Sequence, residues 1–279
     1  MKSVKDNIQI IIVMTVINLI VLWGFNSSGQ LLHGVGYFVF FYVAIAIIYL
    51  ITNKIPPRNE IEIKNPTKEL TMAIIFSLLG FVFLVLNFMQ KASIIPKNIF
   101  TTIPILAGVF LFSMPLGIAI YLLLKKYKIL QLGFATKPLI YLLLGIVIWG
   151  LTGLFAYMFN RSGILWEEGY KELGGVFGMI LQGVIGAGLV EEFNRFIIQS
   201  RFEKVFKKLG FNILFATTIW AFMHFPVWYF KSGEVKAIIL NCIQIIPLGF
   251  VWGYLTQRTK SILPATIAHG FNLWGFQNS

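Results

Sequence analysis

Two adjacent carboxylates, Glu191 and Glu192, and a guanidinium, Arg195, interrupt the stretch Gly186-Ala-Gly-Leu-Val-Glu-Glu-Phe-Asn-Arg-Phe-Ile-Ile-Gln199, which is otherwise apolar enough to sit in a membrane. Ionisable groups at that depth cost roughly 2.5–3.5 kcal/mol each on insertion scales, so they face a cavity, find partners and mark function. Of the eleven acids in the chain, only these two fall inside apolar segments; Asp6 belongs to the N-terminal leader and the other glutamates read as loop residues. Two of the three histidines, His224 and His269, also lie within apolar segments, while His33 borders one. A lone buried histidine is usually a satisfied core residue. That bland reading weakens when two acids, two imidazoles and a guanidinium share the hydrocarbon region.

The chemistry open to such a set is hydrolysis by activated water. A carboxylate held beside a water acts as general base, and a neighbouring imidazole orients that water or shuttles its proton. A second histidine with a nearby amide, here His269 and Asn272, offers hydrogen bonds to the oxyanion formed when water attacks a peptide carbonyl. A serine or cysteine nucleophile is not indicated, because none is paired with a histidine by spacing. The only cysteine, Cys242, lies in an apolar segment, so there is no disulfide framework and no cysteine metal site.

The elements that must position these groups are membrane helices. The chain of 279 residues is 57% hydrophobic and only 12% charged, with a mean hydropathy of +0.80, far from the roughly 25% charged fraction of a soluble domain. An all-α, polytopic transmembrane helical bundle is expected, one unit over residues 1–279. Spans are placed at about Ile8–Phe25, Val35–Thr52, Thr71–Met89, Ile103–Leu124, Leu139–Met158, Val176–Gln199, Asn212–Phe225 and Ala237–Thr256. A short segment from Ile262 makes a ninth if it crosses fully. The first is read as a retained helix, since it is longer than a signal core and no small-x-small site follows. At about 1.5 Å per residue, Glu191, His224 and His269 can all meet in one half of the bundle.

A net charge of +12 raises the question of nucleic acid, but the basic residues sit in short juxtamembrane loops rather than an aromatic-laced stripe. Topology accounts for them. Lys2, Lys5, Lys54, Arg58, Lys64, Lys68, Lys125, Lys126, Lys128, Lys137, Arg201, Lys204, Lys207, Lys208, Arg258 and Lys260 fall on alternate loops of one side, against six Lys and Arg on the other. The positive-inside rule then puts the N-terminus in the cytoplasm of a multi-pass cell-membrane protein. The second pair, Glu167-Glu168, reads as a solvated loop. Trp23, Tyr49, Tyr157 and Trp228 read as lipid contacts and interfacial belts, Asn241 and Gln244 as helix glue ahead of a lining of the substrate path, and Pro247-Leu-Gly249 as a kink.

Three stretches resemble the CAAX protease and bacteriocin-processing (CPBP, or Abi) family of intramembrane endopeptidases, which includes the eukaryotic Ras-converting CAAX protease. Val190-Glu-Glu-Phe-Asn-Arg-Phe196 is similar to the family's Glu-Glu-x-x-x-Arg, Trp220-Ala-Phe-Met-His224 to its Phe-x-x-x-His, and His269-Gly-Phe-Asn272 to its His-x-x-x-Asn. The likeness covers residues 171–279, which it marks as the catalytic core; spans 1–170 resemble the family only weakly. It implies Glu191 as the base that activates water, His224 as its assistant, His269 and Asn272 as the oxyanion site, and Glu192 and Arg195 as supports. It also implies a membrane-anchored peptide or protein substrate. The family has been described as metalloproteases and Glu/His/His is a zinc set in ligand type, but no His-Glu-x-x-His spacing is present, so a metal-free glutamate mechanism with no required cofactor is expected ahead of a zinc one. Arg195 and Asn272 each come one residue early against the pattern. Arg195 thus stands four residues from Glu191, where an ion pair would occupy the base and leave Glu192 to replace it. A non-catalytic membrane-binding member and an ion-coupled transporter stay open as alternatives, though no inverted repeat is visible.

Overall fold

The computed structural model describes residues 4–27, 29–57, 61–135, 139–160, 171, 174–208 and 210–272. Among these residues it contains helices and no strand. Helices α1 (Val4–Ser27), α2 (Leu31–Lys54) and α3 (Pro66–Lys91) are followed by α4 (Ile99–Gly108), which continues as a π-helix over Val109–Ser113, and α5 (Leu116–Leu124). Then come α6 (Ile140–Asn160), the long α7 (Gly175–Phe206), α8 (Phe211–Met223), α9 (Phe225–Ser232), α10 (Val235–Gln244), α11 (Ile246–Thr259) and α12 (Leu263–Asn272). Among the described residues seven helical segments are long and apolar enough to cross a membrane. The pair Ile99–Ser113 and Leu116–Leu124, bent by 59°, makes an eighth when its two halves are counted as one broken span.

Seven or eight spans agree with the about eight expected, with differences where proline intervenes. The seventh span does not end at Phe225 but breaks at His224 and resumes as α9 to Ser232, because Pro226 cannot donate a backbone hydrogen bond within a continuous helix. The eighth breaks at Ile245 ahead of Pro247, where the kink was expected. In both cases proline occupies the first turn of the new helix, where its missing N–H costs nothing. The ninth segment, α12, has ten residues; at about 1.5 Å each it spans roughly half the ~30 Å hydrocarbon core, so over its described length it dips in rather than crosses. Glu167 and Glu168 lie outside the described residues.

Glycine sets how closely α12 approaches its neighbours. A Cβ on Gly188 of α7 would stand 2.5 Å from the Thr266 carbonyl oxygen, and one on Gly270 of α12 would stand 2.6 Å from the Val184 Cα. On the other side, a Cβ on Gly145 of α6 would meet the Pro264 carbonyl oxygen at 2.4 Å. Helix α12 is therefore clamped between α6 and α7 with backbones in contact, the kind of small-residue packing that membrane helices use where no hydrophobic driving force separates side chains from lipid. Large apolar side chains such as Trp23, Phe100 and Phe177 point outward.

Two expectations drawn from sequence are corrected. Glu69 and Arg201, read as loop residues, are almost wholly buried and paired: Arg201 Nε donates to Glu69 Oε2 at 3.0 Å, and the Tyr127 hydroxyl donates to Glu69 Oε1 at 2.6 Å. They tie α3 to α7 from 132 residues apart, a separation that no local pattern encodes. Asn241 and Gln244 do not act as helix glue among the described residues; Asn241 is exposed on α10, and neither side chain bridges to another helix.

Candidate active site

Helix α7 changes character just before its two acids. Met179–Leu189 is π-helical and Val190–Phe206 is α-helical; such wide turns are frequent at functional sites. The α-helical part projects Glu191 and Glu192 in different directions, about 100° apart. Glu191 opens onto a cavity of about 200 Å³ whose walls include Asn194 and Arg195 of α7, Trp220 and His224 from the α8–α9 break, and Ser113 and Met114 from the bent fourth span. Glu192 turns inward and is 1% exposed.

At the cavity surface, Glu191 and His224 are 30% and 27% exposed, and His224 Nε2 lies 3.8 Å from Glu191 Oε2. The His224 ring is oriented from behind: Nδ1–H donates to the Trp220 carbonyl at 3.0 Å, so in the neutral ring Nε2 carries the lone pair. The Trp228 indole stacks on the same imidazole, with centroids 5.4 Å apart. Trp228 is thus a partner of the site rather than the interfacial lipid contact expected of it. The Trp220 indole N–H donates to Glu191 Oε2 and fixes that carboxylate.

Behind this pair lies a buried layer. Arg195 donates to Glu192, and His269 Nδ1–H donates to the other oxygen of Glu192 at 2.9 Å. The expected ion pair between Glu191 and Arg195 does not form; offsets of three and four share one side of a helix, and the tertiary partners select Glu192. The Arg195 guanidinium lies between two indoles, 5.6 Å from the Trp220 ring and 5.7 Å from the Trp252 ring, where cation–π attraction replaces lost hydration. His269 stacks on Trp252 with centroids 4.0 Å apart and presents Nε2 to Glu191 Oε2 at 3.6 Å. Gly249 makes this aromatic frame possible, because a Cβ there would stand 2.7 Å from the Trp220 ring.

The structure therefore brings Glu191, Glu192, Arg195, His224 and His269 together from α7, the α8–α9 break and α12. Asn272 is not brought into the cavity. It is 1% exposed, does not line the cavity, and neither its amide nitrogen nor its oxygen has a hydrogen-bond partner among the described residues. Sequence reasoning missed Trp252 and Trp228 as parts of the site and placed Trp220 only as the first residue of the motif ending at His224, although Trp220 and Trp228 stand four residues before and after that histidine. Among the described residues no three His, Cys, Asp or Glu side chains are set to hold a metal ion. The Glu191 oxygen nearest both imidazoles already accepts the Trp220 N–H.

Comparison with known proteins adds the family. No curated protein and no solved structure matches the chain. Residues 174–274, a stretch that carries every one of these acidic, basic and imidazole side chains, match the family model described as Type II CAAX prenyl endopeptidase Rce1-like, and this match supports the resemblance of the C-terminal region to the CAAX protease and bacteriocin-processing family.

Proposed function

We propose that the protein is an intramembrane endopeptidase that hydrolyses a peptide bond in a membrane-anchored peptide or protein, with Glu191 as general base. The observation that carries this reading is the division of labour between the two acids: Glu191 faces the cavity within 3.8 Å of His224 Nε2, while Glu192 is held behind it by Arg195 and His269. One carboxylate is left to meet a substrate, held by the Trp220 N–H with the His224 and His269 imidazoles beside it. In this reading a water donates to Glu191 Oε2 and to His224 Nε2. Glu191 takes one proton, the oxygen attacks the carbonyl carbon, and the carbonyl electron pair moves onto its oxygen. Collapse of the tetrahedral adduct breaks the C–N bond as the proton passes from Glu191 to the departing amine.

Glu192, Arg195 and His269 act as positioning residues, which departs from the oxyanion role that the family resemblance implies for His269. Its Nδ1–H is committed to Glu192 and its Nε2 looks at Glu191, while Asn272 lies outside the cavity. The reacting side chains would come from residues 171–279 as the catalytic core, with α3 and the bent fourth span supplying a wall. The basic loops and the N-terminus would face the cytoplasm, placing cleavage near that side. The reaction needs no metal in this reading.

The test uses the purified full chain in liposomes with a library of membrane-anchored peptides. Cleavage by the wild type, reduced about 10²–10⁴-fold by Glu191→Gln, strongly lowered by His224→Ala and insensitive to chelators, is the expected result. Cleavage unaffected by either substitution would overturn the mechanism. Activity lost on chelation and restored by zinc would overturn its metal independence. No cleavage of any peptide would favour a non-catalytic membrane partner, and peptide-independent ion flux would favour a transporter.

A further inference from the structure

Water activated by Glu191 attacks a carbonyl whose oxygen must find hydrogen-bond donors as it gains charge. Most donors around the cavity are already engaged. The Trp220 N–H is on Glu191, His224 Nδ1–H is on the Trp220 carbonyl, and the Ser113 hydroxyl across the cavity donates to the Gly80 carbonyl at 2.9 Å. His269 Nδ1–H is on Glu192. Asn194 differs from all of these. It follows Glu191 by three residues on the same α-helical section, so the two side chains emerge on one face, and both line the cavity. No other residue lining the cavity carries a side-chain amide. The Asn194 amide is partly exposed and makes no hydrogen bond among the described residues. Beside it on the same wall, Arg195 keeps one terminal nitrogen, Nη1, buried and unpartnered.

We infer that the Asn194 carboxamide is the oxyanion donor of this site, a role that rests on the endopeptidase reading. As the bond from water oxygen to carbonyl carbon forms, Asn194 Nδ2–H donates to the carbonyl oxygen that receives the π electron pair, with the Arg195 guanidinium adding positive potential behind it. The hydrogen bond strengthens as the charge grows and relaxes when the C–N bond breaks. A neutral amide suits the position. A lysine there would pair with Glu191 and silence the base, whereas an amide leaves the carboxylate charged and still offers an N–H.

The experiment measures kcat and KM separately for a liposome-anchored peptide that the wild type cleaves, comparing Asn194→Ala and the near-isosteric Asn194→Asp. The alanine variant is expected to lose about 10²–10³-fold in kcat with KM changed by less than about threefold, since the interaction matures only in the transition state. The aspartate variant is expected to lose at least as much, because it replaces the donor with a second carboxylate beside Glu191. Should the alanine variant fail to fold, the aspartate variant carries the test. An alanine variant within about fivefold of wild-type kcat, or a loss confined to KM, would assign Asn194 elsewhere and leave the endopeptidase reading standing. A wild type that cleaves nothing defeats both.

Discussion

Arg195→Met is the substitution whose consequence follows most directly from the buried layer. It leaves the Glu192 carboxylate, 1% exposed, without its guanidinium and removes a cation held between two indoles. Removing one partner of a buried ion pair costs about 3–5 kcal/mol, because the remaining charge is stranded; the hydrogen bond that Glu192 keeps from His269 places the loss near 3. At about 2.1 cal/mol/K per residue the unfolding entropy of 279 residues is roughly 0.6 kcal/mol/K, so a loss of that size lowers the melting temperature by about 5 °C or more. A membrane protein that keeps helices on unfolding loses less entropy and shifts further. The chain has one cysteine, Cys242, and it is fully buried, so a thiol-reactive fluorogenic dye in detergent reports unfolding directly. The double variant Glu192→Gln/Arg195→Met removes both charges and should recover at least half of the loss. A single variant melting within about 1 °C of wild type, or a double variant no better than the single, would refute the claim that Glu192 and Arg195 form one electrostatic unit.

Gly188→Ala and Gly270→Ala should each cost about 1–3 kcal/mol by forcing α12 from α7 and should lower peptidase activity further by drawing His269 from the acids; Gly150→Ala, on α6 with nothing within 4 Å of the added Cβ, should leave both measurements near wild type. Trp228→Ala removes the ring stacked on His224, and at about 0.5–1.5 kcal/mol for such a contact turnover should fall roughly two- to tenfold, with Trp228→Phe restoring most of it. The Tyr127 hydroxyl, between the loop and α3, is pushed up to about 12 by burial and by its hydrogen bond to Glu69. Because the folded state holds that proton more tightly than the unfolded chain, its contribution to stability is complete below pH 10 and lost as pH rises toward 12. Tyr127→Phe should remove one residue from the late-titrating tyrosinate absorbance.

Much of the architecture was legible because it is local. Apolar runs of span length, their number and the break at Pro247 follow from composition and from the missing proline N–H, whereas the resumption of the seventh span beyond Pro226 was not read from the sequence. The same locality exposed the site's inventory, since Glu191, Glu192, Arg195, His224 and His269 are conspicuous in apolar surroundings. The Glu69–Arg201 pair was not legible. Both residues stand near the ends of apolar runs, where a charge in water and a charge buried against a distant partner look alike in sequence.

What the chain determines by itself is which side of each helix carries a polar group; what it leaves to the fold is which neighbour that group meets. Arg195 stands within reach of Glu191 and Glu192 alike by helical geometry. The choice of Glu192 is made by α12, which brings His269 to the same carboxylate, and by the indoles of Trp220 and Trp252, which fix the guanidinium between them. The same packing keeps Asn272 out of the cavity and leaves Asn194 on its wall. Periodicity fixes a direction within one helix, whereas contact depends on the separation and rotation of several helices, and here backbone-to-backbone approach at Gly145, Gly188 and Gly270 sets both for α12.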